Sequence, residues 1–184
     1  DYCETQTLFA HEIPSAGSQI GIITQLDVVF PLLHGPFGED GTIQGLLELA
    51  GVPYVGSGVV GSAIGMDKVM MKRVLRAEGL PILPYIEASQ TQLTQDLDAL
   101  ERRAHRELGY PLFVKPASLG SSVGVHRVNE TSDFAEAVRD AAQFDHKIVV
   151  EKAAAGAREI ECAVLGNDTP KASVLGEVLP SEGF

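Results

Sequence analysis

The residues with the clearest chemical potential lie in the segment FVKPASLGSSVG, at residues 113–124. Lys115 falls in an apolar stretch of strand length, where desolvation of an ammonium is costly unless an anion lies beside it. Two glycines then let the backbone approach a ligand closely, and three serines offer hydroxyl donors. The pattern predicts a phosphate site with Lys115 as the countercharge. The alternative is a Gly/Ser hairpin whose lysine extends along apolar surface to water.

A second group of charges begins at Met66-Asp67-Lys68 and continues with Lys72 and Arg73. On a helix, Lys68 and Lys72 share a face, so one of them could reach a phosphate. A solvated helix face is the alternative interpretation.

Two carboxylates lie further along the chain. Glu151 ends an apolar strand, and Glu159 follows a turn of small residues. Such a pair could accept hydrogen bonds from an adenine amine and a ribose hydroxyl. The alternative is that they are edge carboxylates, which keep a strand from pairing with other chains.

His34 opens a glycine-rich loop directly after the apolar run 27–33. A histidine at this position could orient a substrate or shuttle a proton. A structural hydrogen bond is the alternative.

These side chains must be positioned by the elements around them. Residues 27–56 read as strand, loop, helix and strand, with residues 46, 47, 49 and 50 as the buried stripe of the helix; this order predicts a parallel α/β unit with its loop at the carboxyl end of the sheet. The first 25 residues suggest a hairpin or loop. After Ser57, two helices (59–65 and 67–78) lead to short strands that alternate with helices at 93–108 and 134–144, which predicts an α+β unit with an antiparallel or mixed sheet. The predicted domains are 1–57, 58–152 and 153–184, and the outer two are expected to be incomplete.

Composition excludes several classes of partner. The chain has 184 residues, of which 45% are hydrophobic, and a formal net charge of −11. So negative a surface repels nucleic acid and anionic lipid, and no apolar run approaches the roughly 20 residues of a membrane span. The two cysteines lack metal-ligand spacing and no secretory signal leads the chain, so a cytoplasmic location is expected.

Together these segments resemble the D-alanine–D-alanine ligases of the ATP-grasp superfamily. The matching segments are HGPFGEDGTIQG (34–45), YVGSG (54–58), MDK (66–68), FVKPA (113–117), GSSVGV (120–125), EK (151–152) and GAREIECAVLG (156–166). The resemblance implies an ATP-grasp fold, of mixed α/β and α+β class, preceded by a Rossmann-like parallel α/β domain.

The resemblance also implies roles for single residues. Lys68 and Lys115 would contact the nucleotide phosphates, and Ser121 and Ser122 would lie in the loop that closes over them. Ser121 would also lie near the substrate, with His34 beside the substrate amino acids. The remaining implied contacts are Glu151 and the backbone at Lys152 to adenine, and Glu159 to the ribose.

The implied reaction joins two D-alanines through an acyl phosphate, with ATP and Mg²⁺ or Mn²⁺, in a homodimeric enzyme that serves peptidoglycan synthesis. Residues 153–157, AAAGA, depart from the family pattern. The family's first D-alanine segment and its Arg-x-Asp and Glu-x-Asn segments do not occur, so this chain alone is expected to be inactive. The alternatives are a D-alanine–D-lactate or D-serine ligase, another ATP-grasp carboxylate–amine ligase, and a nucleotide-binding module without catalysis.

Overall fold

The computed structural model describes residues 6–9 and 22–179, with side chains from Leu26 onward. It divides into two compact units, Asp1–Lys152 and Ala153–Phe184. The narrower division at Ser57 stays a prediction.

The first unit begins with two antiparallel strands, β1 (Gln6–Phe9) and β2 (Ile22–Leu26). This pairing agrees with the expected hairpin, whose connection lies outside the described residues.

The predicted strand at 27–33 is wrong in extent. Its described backbone makes a single parallel bridge, between Val29 and Tyr54. Phe30 and Leu32 are 66% and 77% exposed rather than buried. Pro31 has no N–H to donate, and Tyr54 is the one bridge partner among the described residues, so no ladder extends from Val29. The parallel direction of the bridge agrees with the predicted α/β unit.

The sequence predicts a helix that begins at Thr42 with Gly51 just past its end, and helix α1 (Thr42–Ala50) has these bounds. Gly51 closes it in the left-handed conformation, with φ of 66°, and its N–H donates to the last turn. The predicted stripe of buried residues is wrong except at Leu47, because the helix packs along the face that carries Leu47 and Gln44.

Two further helices follow, α2 (Val59–Met66) and α3 (Lys68–Ala77). Asp67 separates them, and its carboxylate accepts hydrogen bonds from the amides of Val69 and Met70 at 2.9 and 3.0 Å. This N-cap satisfies donors that the first turn of a helix leaves free. Both helices were predicted.

A four-stranded antiparallel sheet forms the centre of the first unit. Its strands are β3 (Tyr85–Ser89), β4 (Leu112–Pro116), β5 (His126–Val128) and β6 (Lys147–Lys152), in the order β3-β6-β4-β5. Between them lie α4 (Gln90–Gln95), α5 (Leu97–Glu107) and α6 (Thr131–Phe144). The single helix predicted at 93–108 is interrupted at Asp96, whose side chain caps α5.

The sheet buries both faces. One face, with Val114 and Val150, packs against α5 and α6 around Phe134. The other face, with Val149, packs against Val69 of α3. Alternation along a strand therefore sends neighbouring residues into two different environments.

The second unit contains two antiparallel pairs, β7 (Glu159–Glu161) with β10 (Gly176–Val178), and β8 (Val164–Leu165) with β9 (Lys171–Ala172). The sequence predicts one strand at 159–165 and another at 172–178, and each of them is divided in two. Across the described residues, no helix has the length and apolarity needed to cross a membrane.

Candidate functional site

The pleat of β4 places Lys115 on the face of the sheet that packs against α3. Leu112 and Val114 point into the other core, so Phe113 and Lys115 lie on the α3 side. Phe113 is directly opposite Glu151 of β6 in the register. Lys115 is therefore a diagonal neighbour of Glu151 on the same face, and its Nζ lies 2.6 Å from Oε2 of Glu151.

Helix α3 contributes a second lysine to this face. Val69 and Lys72 are one turn apart and both are buried, with Lys72 only 8% exposed. The Lys72 ammonium forms an ion pair with Oε1 of Glu151. The solvated helix face considered for Lys72 is therefore wrong. We call Lys72, Lys115 and Glu151 the Glu151 cluster.

Aromatic rings lie on either side of the Glu151 carboxylate. The register places Tyr85 of β3 and Phe113 of β4 opposite Glu151 on its two neighbouring strands. Lys72 Nζ lies 5.3 Å from the Tyr85 ring centroid, and Lys115 Nζ lies 5.3 Å from that of Phe113. Each lysine thus has its own side of the carboxylate and its own ring, in cation–π geometry.

The charges of the cluster favour an anion. Burial raises the pKa of Glu151, but hydrogen bonds from Lys115 and Lys72 outweigh it, so the pKa lies below its ordinary value. Two ammonium groups and one carboxylate leave a net charge of about +1 in a largely buried position. The cluster is suited to hold one more negative group, such as a phosphate.

Lys68 lies at the start of α3 and contacts the neighbouring loop. Its ammonium donates hydrogen bonds to the carbonyls of Leu119 and, at 3.4 Å, of Ala117. Burial lowers the pKa of Lys68, and the charge of Lys115 lowers it further. Lys68 also borders a cavity of about 680 Å³, together with Gly120 of the loop and Gln44 of α1.

The glycine loop (residues 118–124) follows β4 and contains left-handed backbone at residues whose types do not predict it. Ser121 and Ser122 have φ of 50° and 57°, in the left-handed region that costs most residues about 1 kcal/mol or more. Both serines are exposed. Gly124 also has positive φ, at 64°, and a Cβ there would lie 2.9 Å from Cγ of Pro116. The loop is therefore tightly packed at Gly124, whereas Ser121 and Ser122 are exposed to solvent.

The base of the glycine loop is held by residues that the sequence did not single out. The Ser118 amide donates to Asp145 at 2.7 Å, and Lys147 forms an ion pair with Asp67. Burial raises the pKa of Asp67, but the Lys147 hydrogen bond and the cap amides of α3 lower it overall. Asp145 and Lys147 are distant from the loop in sequence, and no local motif marks them.

His34 lies apart from this arrangement. It is exposed and borders a smaller depression of 290 Å³, beside Phe37. Its loop is folded by carboxylates: Glu39 accepts from the Gly35 amide at 2.6 Å, and Asp40 accepts from that of Phe37 at 2.8 Å. Among the side chains from Leu26 to residue 179, no hydrogen bond or ion pair joins His34 to the glycine loop.

The last two predicted contacts lie at and beyond the end of β6. Lys152 has an exposed side chain, and its amide donates to the Pro84 carbonyl at 3.0 Å. Glu159 belongs to the second unit, where it is exposed and opposite Val178 in the β7–β10 pair. Across the described part of the chain, no group of three or more His, Cys, Asp or Glu side chains could hold a metal ion. These residues alone therefore do not fit a metal centre.

Two family models match the chain: "D-ala D-ala ligase N-terminus" over residues 6–57 and "D-ala D-ala ligase C-terminus" over residues 74–184. A curated D-alanine--D-alanine ligase from Bacillus velezensis is 54% identical over 159 residues, which are 86% of this chain and 45% of that protein. The chain thus spans less than half the length of this relative.

Solved structures give the same result. The D-alanine-D-alanine ligase from Coxiella burnetii aligns with a TM-score of 0.76 at 45% identity, over 83% of this chain and 44% of that one. The VanG D-Ala:D-Ser ligase from Enterococcus faecalis aligns with a TM-score of 0.80 at 36% identity, over 89% and 46%. The predicted ATP-grasp fold is confirmed. The C-terminal family model alone covers more than half of the residues of this chain, so the chain belongs to the D-alanine–D-alanine ligase family.

Proposed function

We propose that the protein carrying this chain is an ATP-dependent ligase that joins two D-alanines into D-alanyl-D-alanine for peptidoglycan synthesis. The observation that carries the proposal is the Glu151 cluster, whose net positive charge adjoins the glycine loop on the same strand. A ligase that uses ATP needs cations where the phosphates lie and donors around the transferring phosphoryl group.

The described residues suit these tasks. Lys115 and Lys68 would contact the phosphates of ATP. Ser121 and Ser122 are exposed in a loop whose backbone could turn its N–H groups toward an anion. Glu151 would accept a hydrogen bond from the adenine amine. The other contacts in this proposal are those of the Lys152 backbone to adenine, Glu159 to the ribose and His34 to the substrate amino acids.

The reaction has two steps. A carboxylate oxygen of the first D-alanine attacks the γ-phosphorus of ATP, and ADP leaves, which gives an acyl phosphate. The amine of the second D-alanine then attacks the acyl carbon, an N–C bond forms, and inorganic phosphate leaves as the amine loses its proton. Lys115 and Lys68 would offset the charge of the transferring group. A divalent metal, Mg²⁺ or Mn²⁺, would supply further electrostatic stabilisation. Residues other than those described here would hold it.

Three further features belong to this proposal. The protein would act in the cytoplasm, where ATP is available, and would form a homodimer. Its domains would be 1–57, 58–152 and 153–184.

D-serine is a second candidate for the acceptor substrate. The observation that favours it is the similarity to VanG, which is named a D-Ala:D-Ser ligase and aligns with a TM-score of 0.80. The nucleotide side of the site would be the same in both cases.

The test is to incubate the full-length protein with ATP, Mg²⁺ and D-alanine, alone or with D-serine or D-lactate, and to identify the products by mass spectrometry. We expect D-alanyl-D-alanine together with equal amounts of ADP and phosphate. The 184-residue chain alone is the matched negative control. If the full-length protein binds ATP but forms no product with any of the three acceptors, it is a nucleotide-binding module and the proposal is wrong.

A further inference from the structure

The two oxygens of the Glu151 carboxylate have different partners. Oε1 contacts the Lys72 ammonium, and Oε2 lies 2.6 Å from Nζ of Lys115. Because Tyr85 and Phe113 flank Glu151 on the two neighbouring strands, each lysine reaches the carboxylate from its own side. A ligand could therefore displace one lysine and leave the other in place.

The two lysines differ in how accessible they are. The Lys115 side chain is 23% exposed and lies three residues before the glycine loop, whereas that of Lys72 is 10% exposed and lies on the buried face of α3. A phosphate bound at the glycine loop would attract Lys115 first, because Lys115 is nearer to the loop along the chain and has more freedom to move. Lys72 has no comparable exposed route, and its apolar neighbour Val69 is fully packed.

We propose that Lys72 is a positioning residue that holds Glu151 as an ionised hydrogen-bond acceptor and thereby sets a preference for a 6-aminopurine nucleotide. The proposal rests on the proposed function. When phosphate draws Lys115 away, Oε2 becomes free for the base, while Lys72 keeps Oε1 and the negative charge in place. A carboxylate can only accept hydrogen bonds, so it pairs with the amine of adenine and repels the 6-oxo group of hypoxanthine.

The test compares ATP with inosine triphosphate in the full-length protein. In Lys72→Met, a neutral side chain of similar length replaces the ammonium, so Glu151 loses its remaining countercharge and takes up a proton more readily. A protonated Glu151 can donate to the 6-oxo group. We expect the ratio of kcat/KM for ATP to that for inosine triphosphate to fall roughly tenfold, mostly through KM for ATP, since a hydrogen bond to a charged group has about that effect.

Arg76 provides a matched control. Its guanidinium also lies over the Tyr85 ring, 5.0 Å from the centroid, but the residue is exposed on α3. Arg76→Met should leave the nucleotide ratio unchanged. Lys72→Arg retains the positive charge and should keep the ratio within about twofold of the wild-type value.

Several outcomes would overturn the inference. One is that Lys72→Met folds and keeps the wild-type ratio of kcat/KM for ATP to kcat/KM for inosine triphosphate. Another is an equal loss with both nucleotides, which indicates a structural role alone. If Lys72→Met does not fold, Lys72→Arg decides, and a lost ratio in that variant counts against the inference. Failure of the wild-type protein to form any product would instead contradict the proposed function.

Discussion

The Glu151 cluster and the glycine loop adjoin on β4, yet they are held in opposite ways. In the cluster, three charged side chains lie on regular elements, are mostly buried, and satisfy one another through ion pairs. In the loop, Ser121 and Ser122 are exposed and have left-handed backbones. The side chains of the cluster pair with one another without a ligand and keep a net positive charge, whereas the loop offers donors that a ligand could engage.

This difference shows which side chains the fold itself must position and which ones a ligand can position on binding. Charges on a sheet face must be paired by the fold itself, because an unpaired buried ammonium is costly. Donors in an exposed loop can be hydrated until a ligand binds, so their geometry need not be fixed beforehand. We therefore expect changes in the cluster to affect stability and nucleotide use strongly, and changes in the loop to appear mainly when ligand is present.

The largest expected effect follows from Glu151→Gln. The amide leaves two buried lysines without a countercharge, and we expect the free energy of unfolding in urea to fall by about 3–5 kcal/mol at pH 7. The pKa of Glu151 is lowered in the folded protein, so its contribution is full above the unfolded pKa of about 4.3. That contribution is lost as the pH falls through the lower, folded pKa. The difference in the free energy of unfolding between wild type and variant should therefore shrink as the pH falls below 5.

Glu177→Gln is the control for this pH series. Glu177 also forms an ion pair, with Arg158 at 2.7 Å, but this pair lies on the surface of the second unit. Surface pairs contribute little, so the control should resemble wild type at every pH. A Glu151→Gln effect of the same size at pH 7 and pH 3 would contradict the assignment of the stability to the ionised carboxylate.

The next effect is that of Lys115→Ala on nucleotide use. If Lys115 contacts a phosphate, its loss removes a charge-assisted hydrogen bond of about 1.5–3 kcal/mol, which corresponds to a roughly 10- to 150-fold weaker use of ATP. Steady-state kinetics of the full-length protein with varied ATP measure this. Lys171→Ala, on an exposed strand of the second unit, is the control. An unchanged apparent affinity for ATP with intact turnover would favour the alternative of a lysine that merely extends to solvent.

The same contrast separates what the sequence could predict from what it could not. Local signals were sufficient for the helices that follow Gly41 and Asp67, for Gly51 as a terminator, and for Lys115 beside a glycine loop. Each of these depends on residues within one or two turns. The left-handed conformation of Ser121 and Ser122 had no such signal, since glycine is the residue that usually marks it.

Contacts across the sheet were harder to foresee. Lys115 and Glu151 are 36 residues apart, and their contact depends on the strand order and register of β4 and β6. Lys72 carried one usable clue, because it shares a helix face with the apolar Val69. The strand expected at 27–33 failed for the converse reason: an apolar run does not specify whether a partner strand lies beside it, and the described residues give it one bridge.

The smallest expected effect concerns the glycine loop, and hydrogen exchange of the full-length protein measures it. The loop contains two glycines and three serines, and Ser121 and Ser122 are exposed, so without ligand it should open at a low cost in free energy. Bound nucleotide would give its N–H groups and serine hydroxyls phosphate partners, and the loop should then close. At an ATP concentration about ten times Kd, with Mg²⁺, protection should rise roughly tenfold. A phosphinate that mimics the tetrahedral intermediate should raise it further.

The amide of Val114 provides the internal reference for this measurement. It lies on β4, between two paired strands and fully buried, so its exchange should be slow in all three states. The loop is thereby compared with a part of the same strand that the fold already fixes. If the loop amides exchange equally with no ligand, with ATP and with the phosphinate, the loop does not clamp the reacting phosphate. In that case Ser121 and Ser122 lose their proposed roles, while the Glu151 cluster keeps its own, because its ion pairs do not depend on loop closure.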